Sequence, residues 1–250
     1  MSNAMGRSVR LRERFSYIED ARRPLHSLIF LLPLILAYEI GAARLDPSTS
    51  FVQSDRVIAY HLMELFFSVL GAAGIILPGF LIIAILLITH IVSRDRWTVR
   101  TATLLGMMGE SLVWTAPLFL LNRFIRYTAL EQSSPTAWLD NVIISTGAGV
   151  YEELIFRLIL VTAIVILLED VLKLKQRRAL IVAVVLAAVL FAAHHHPPLG
   201  REPYDFGRFA FRTMAGVYLG TLFLLRGYGI TAGCHAVYNV IVVTLDALSD

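Results

Sequence analysis

Apolar residues run through this chain in long blocks, separated by short stretches of charge, proline or glycine. The blocks fall at 25–43, 75–93, 102–122, 141–168, 178–196, 207–226 and 229–248. At about 1.5 Å per helical residue, each is long enough to cross a hydrocarbon core of about 30 Å. The predicted fold class is therefore all-α, a polytopic membrane helix bundle of seven spans. Segment 57–74 is patterned differently. His61, Glu64 and Ser68 form a polar stripe at helical spacing, opposite Ile58, Leu62, Leu65, Phe66 and Val69. That pattern suits an interfacial or re-entrant helix, or else an inward-facing eighth span. The first apolar block begins near Leu25, too far in and too long for a signal peptide, and reads as an anchor that is retained. Met1 to Ala4 resemble an expression scar and carry no weight in the fold argument.

Composition agrees with the pattern. Of 250 residues, 57% are apolar and only 16% charged, and the mean hydropathy is +0.69. A soluble domain carries roughly 25% charged residues, so this chain lacks the polar surface to cover a soluble core. The formal charge of +3 does not imply nucleic acid, because Lys and Arg sit in the short connections between apolar blocks. With seven spans and a cytoplasmic N-terminus, fourteen Lys/Arg fall on the cytoplasmic side and six on the other. Counting 57–74 as a full span would move Arg94, Arg96 and Arg100 outside, against the positive-inside bias. A single cysteine, Cys234, excludes an internal disulfide and a multi-thiolate zinc site. The expected location is a bacterial inner membrane. The expected organisation is a cytoplasmic segment 1–24, a first group of membrane helices over 25–140, and a second group over 141–250.

The second group holds residues that are expensive to place in lipid, which makes each a functional candidate. The fourth block carries Glu152, Glu153 and Arg157. Glu153 and Arg157 lie four apart on one helical face and can neutralise each other. Glu152 points about 100° away, has no local partner, and could act as a general base. The fifth block ends in His194, His195 and His196 before Pro197 and Pro198. Neighbours on a helix diverge by about 100°, so only one or two of these imidazoles should face a common cavity. The last block carries His235 and Asn239, four apart, a pair that could donate to a developing oxyanion or could simply join two helices. Base, imidazole and donors on three separate spans are what hydrolysis of a carbonyl compound requires.

These residues resemble the CPBP (CAAX-protease and bacteriocin-processing, also ABI) intramembrane endopeptidases, the Rce1-like proteases. The family's motifs Glu-Glu-x-x-x-Arg, Phe-x-x-x-His and His-x-x-x-Asn occur in order, as Glu152-Glu153-Leu154-Ile155-Phe156-Arg157, Phe191-Ala192-Ala193-His194-His195 and His235-Ala236-Val237-Tyr238-Asn239. The resemblance covers about 141–248 and makes 141–250 the catalytic unit. It implies that Glu152 activates water with His195 beside it, that His235 and Asn239 line the oxyanion hole, and that Glu153 and Arg157 support the Glu152 helix. It implies a glutamate-dependent peptidase without a cofactor. Zinc held by Glu152, His195 and His235 is the alternative. The partners expected are the lipid bilayer and a membrane-associated or lipidated peptide, with no nucleic acid.

Two other functions compete. A non-catalytic scaffold or immunity-type binding protein could keep the same fold, but would have no need of Glu152, His195, His235 and Asn239 together. A transporter usually shows internal repeats, and none is visible. A diiron oxidase needs more ligands than seven histidines can give when His26, His61 and His90 lie outside the cluster. One feature strains the straight-helix picture: His195 falls at the far end of its span and His235 near the beginning of a parallel one. Either the last helix is displaced or the chain breaks near 227–232.

Overall fold

The computed structural model describes residues 16–44, 77–125, 138–200 and 202–249, and every regular element within them is helical. A short helical turn at 16–21 leads into α1 (Pro24–Arg44), followed by α2 (Leu77–Ser93) and α3 (Thr101–Ile125). One continuous helical segment, α4, runs over 138–171. The remaining elements are α5 (Gln176–Ala193), α6 (Phe206–Arg226) and α7 (Tyr228–Ser249). The seven helices among the described residues match the seven predicted blocks. The amphipathic stretch 57–74 lies outside the described residues.

Four of the helices, α1, α3, α5 and α7, are long and apolar enough to cross a membrane, and α2 is a shorter apolar helix. Their outer faces carry large apolar side chains such as Phe124, Val92 and Leu120, each more than two-thirds exposed. Such a belt is untenable in water and ordinary in lipid. This is an integral membrane protein. Its core packs Leu31, Ile35 and Tyr38 of α1 against Ile82 and Leu86 of α2 and Tyr151 of α4.

α1 and α2 run antiparallel. Gly79 at the start of α2 lies against the Glu39 side chain near the end of α1, and Arg23 before α1 lies 3.9 Å from Asp95 after α2. α1 therefore ends, and α2 begins, at the same end of the bundle. At the opposite end, Arg100 reaches Ser16 and Asp20. There Glu110 of α3 accepts hydrogen bonds from Arg226 of α6, from the Tyr17 hydroxyl at 2.6 Å and from the Trp114 indole at 2.9 Å. This half-buried carboxylate ties the N-terminal turn to two helices.

α4 is unusual in its pitch. It is α-helical over Trp138–Gly147 and Thr162–Ile166, and forms wider π turns over Ala148–Glu152, Leu154–Val161 and Leu167–Val171. π turns concentrate at functional sites because they re-aim side chains and leave carbonyls unpaired along the axis. The Val150 carbonyl, which accepts from the Glu153 N–H, also accepts from the Tyr228 hydroxyl at 2.9 Å. Gly149 lets α7 reach this stretch: a Cβ there would stand 2.4 Å from the Ala236 nitrogen. The two helices meet backbone to backbone immediately beside Glu152 and His235.

The connection between α6 and α7 is the single residue Gly227, whose φ of +84° is open to glycine and strained for any other residue. α7 is then unbroken from Tyr228. The break expected near 227–232 is confined to Gly227.

Candidate active site

The Glu152-Glu153 pair sits within the π-helical part of α4, with Glu152 6% exposed, Glu153 fully buried and Arg157 1% exposed. The two carboxylates part company. Glu153 Oε1 accepts from His235 Nδ1 at 2.7 Å and lies 3.0 Å from Arg157 Nη1. The predicted Glu153–Arg157 pair is thus present, with a third member that spacing along one helix could not reveal. Glu152 faces the other way, into a cavity of about 280 Å³.

α5 stops at Ala193, three residues before the predicted boundary, because a residue preceding proline is disfavoured in the helical region and two prolines follow His196. Once the helix ends, the 100° rule no longer separates its neighbours. The Nδ1 atoms of both His194 and His195 turn back to the Phe191 carbonyl, the latter at 2.9 Å. A carbonyl can only accept, so both rings carry a proton on Nδ1 and, as neutral rings, present a bare Nε2. Those Nε2 atoms lie 3.8 Å and 3.9 Å from Glu152 Oε1. His195, selected by the Phe-x-x-x-His register, is where it was expected. His194, read as surplus, stands beside it. His196 turns away to the Glu202 carbonyl at 3.1 Å.

Phe191 shows why the motif has an aromatic residue four before the histidine. Its carbonyl aims two imidazoles, and its ring lies under the Arg157 guanidinium, 4.3 Å from the centroid. Phe191 also packs edge-on against His195 and His235, at 5.3 Å and 6.0 Å between ring centres.

His235 completes the cluster. With Nδ1 donating to Glu153, its Nε2 faces Glu152 Oε2 at 3.8 Å. Asn239, one turn further along α7, lines the same cavity. All six predicted residues come together, but His235 carries a condition. As a neutral ring it presents an acceptor at Nε2, and it becomes a donor only when both nitrogens are protonated. The Nε2-to-carboxylate distances of 3.8–3.9 Å are too long for hydrogen bonds and leave room for one small species between them.

That species could be a cation as far as ligand type goes. Glu152, His194 and His195 offer ligand atoms within 4.8 Å of one another. The donor set differs from the predicted alternative by exchanging His235 for His194. The second nitrogen of each imidazole is held by a carbonyl, as outer partners of metal ligands commonly are. Zinc bound there would supply Lewis acidity and an acidified water.

Two cavity residues were missed by sequence reasoning. Glu202, in the connection between α5 and α6, and Arg212, on α6, form a bidentate ion pair at 2.7 and 2.8 Å. Partial burial pushes the Glu202 carboxyl up, but hydrogen bonds from Arg212 and its charge outweigh this and hold it below the usual carboxylate range. The signal was available, since Arg212 is an ionisable group inside an apolar block, as Glu110 is.

A search of curated proteins and one of solved structures return no match. A family model does: that of the Rce1-like type II CAAX prenyl endopeptidases matches residues 134–241. The matched stretch contains α4, α5, α6 and most of α7, including Glu152, Glu153, Arg157, His195, His235 and Asn239, and over these residues the chain is similar to the Rce1-like family of membrane proteases.

Proposed function

We propose that the protein is an intramembrane endopeptidase that hydrolyses a peptide bond of a membrane-associated or lipidated substrate, using water activated by Glu152. The observation that carries this reading is the convergence of three imidazole nitrogens on one buried carboxylate at 3.8–3.9 Å. Glu152 takes a proton from water, and the hydroxide attacks the scissile carbonyl carbon. The oxyanion forms against Asn239 and against His235, whose positive form is balanced by Glu153. Collapse expels the amine, which leaves with the proton from Glu152. The water's remaining O–H is accepted by one of the bare Nε2 atoms of His194 and His195. The scaffold alternative gives no reason for Glu153 to hold His235 in one orientation.

A second reading, zinc-bound water, is favoured by the ligand types of Glu152, His194 and His195. One assay separates the two. Purified protein in lipid vesicles is given an S-farnesyl peptide with three apolar residues after the modified cysteine, and cleavage is followed by mass spectrometry. Cleavage is expected to persist after exhaustive chelation with metal content verified. In the same assay Asn239→Ala should lower kcat by about 10²–10³ with little change in KM. Loss of activity on chelation, restored only by zinc, would make the metal reading correct.

The proposed orientation has a cytoplasmic N-terminus and seven crossings in a bacterial inner membrane. Support comes from the antiparallel α1 and α2, whose ends bracket 45–76 at one end of the bundle, and from the charge bias. A cysteine placed at Ser93 in a Cys234→Ala background is expected to react with an impermeant reagent only from the cytoplasmic side. Labelling from outside would reverse the assignment.

A further inference from the structure

Arg212 stands at the catalytic cavity with its two terminal nitrogens on the two oxygens of Glu202, at 2.8 and 2.7 Å. This is the parallel fork by which arginine reads a carboxylate. The Glu202 side chain is about a third exposed and Arg212 only 14%. The cation is therefore the fixed, recessed member and the carboxylate the accessible one. α6 holds Arg212 in place by packing closely on α5 at Gly216, where a Cβ would stand 2.9 Å from Ala188.

The Glu202 backbone is pinned independently of its side chain. Its N–H donates to the His195 carbonyl at 3.2 Å, and its carbonyl accepts from His196 Nδ1 at 3.1 Å. The carboxylate can swing out by rotation about side-chain bonds without moving the segment that carries His195. Arg208, 3.6 Å from Glu202 Oε2 and itself 40% exposed, offers a second cation on the outer side. Exposed ion pairs of this kind exchange at little cost. The cavity that Arg212 and Glu152 share is lined in part by the apolar side chains of Phe211, Ala215 and Leu219.

We infer that Arg212 is a substrate-anchoring residue that takes the free C-terminal carboxylate of the peptide, and that Glu202 is a stand-in which the substrate displaces. The apolar wall then receives the residues just before that carboxylate, so cleavage falls a short distance from the chain end. This rests on the peptidase reading but reads out separately from it. Carboxylate chemistry is shared by a peptide terminus and a fatty acid, and the test distinguishes them.

Two S-farnesyl peptides, identical except that one ends in a free acid and the other in an amide, are compared in two measurements. The first is binding to the Glu152→Gln protein in vesicles, by fluorescence anisotropy. The second is cleavage by the unmodified protein. The free acid is expected to bind about 10- to 100-fold more tightly, the range of a charge-assisted fork, and to show the difference in KM with kcat little changed. In Arg212→Gln the acid-to-amide ratio should fall to about one. In Glu202→Gln, whose amide competes poorly for the fork, the acid should bind more tightly than before. Equal binding of acid and amide by the Glu152→Gln protein overturns the assignment without any substitution at Arg212 or Glu202. If oleate instead displaces a bound probe in an Arg212-dependent way while acid and amide bind alike, the fork serves a lipid carboxylate and the peptide assignment fails. Acid-selective binding without cleavage would overturn the peptidase reading and leave the anchor standing.

Discussion

Replacing Glu152 by glutamine is expected to abolish turnover, by about 10⁴-fold or more, and to leave the protein folded. Magnitude and selectivity come from the same geometry. Glu152 is buried, yet its oxygens meet the three imidazoles only at 3.8–3.9 Å, beyond hydrogen-bond length. No short hydrogen bond from these rings is lost with the charge, and the amide fits the same space. Packing around it comes from Phe191, whose contacts to Arg157 and His195 do not pass through Glu152. Chemistry, by contrast, loses the carboxylate on which three imidazoles converge. His194 and His195 each use Nδ1 to hold the Phe191 carbonyl, and His235 is committed to Glu153. Groups that act as a unit lose nearly all their effect when one member goes. The measurements are kcat on the farnesyl peptide and thermal melting in detergent. Residual activity within tenfold of the unmodified protein would remove Glu152 from the role of base. A fall in melting as large as the fall in activity would make it a structural residue.

The architecture was largely written in the apolar blocks, because in lipid a helix must be both long and apolar and must end where charge begins. Predicted and observed boundaries differ by only a few residues for most elements. The widest differences are three residues, as at the end of α5, which stops at Ala193, and at both ends of α4, which runs over 138–171. Residue type marked Glu152, Glu153, Arg157, His195, His235 and Asn239, since ionisable and amide groups are rare in membrane helices. Three facts were not legible. His194 joins the cluster because two prolines end the helix before the 100° rule can separate it from His195. The Glu153–His235 bond depends on backbone contact at Gly149, which follows from how two distant helices cross. Glu202 lies in a connection, where charge reads as a topology signal, and its function emerges only once Arg212 is seen opposite. Sequence periodicity orders residues on one helix. It says little about which helix supplies the second half of a pair.

Glu153→Gln is expected to behave in the opposite way from Glu152→Gln, losing stability as well as activity. The Arg157 guanidinium is 1% exposed, and its terminal nitrogens find no hydrogen-bond partner among the described residues. What holds it is charge, from Glu153 Oε1 at 3.0 Å, and the face of Phe191 at 4.3 Å. A neutral amide at 153 leaves that cation buried without its nearest counter-charge, and breaking one side of a buried pair costs about 3–5 kcal/mol. The same change removes the carboxylate that orients His235 at 2.7 Å, so turnover falls even in molecules that remain folded. Combining Glu153→Gln with Arg157→Met separates the two effects. The double variant removes the orphaned charge and should recover much of the melting temperature, because an apolar replacement of a buried pair is often close to neutral. Activity should stay low, because His235 still lacks its partner. Unchanged melting of the Glu153→Gln protein would refute the ion-pair account. Recovery of turnover in the double variant would show that Glu153 acts on the reaction only through Arg157, and that the 2.7 Å bond to His235 is not what directs it.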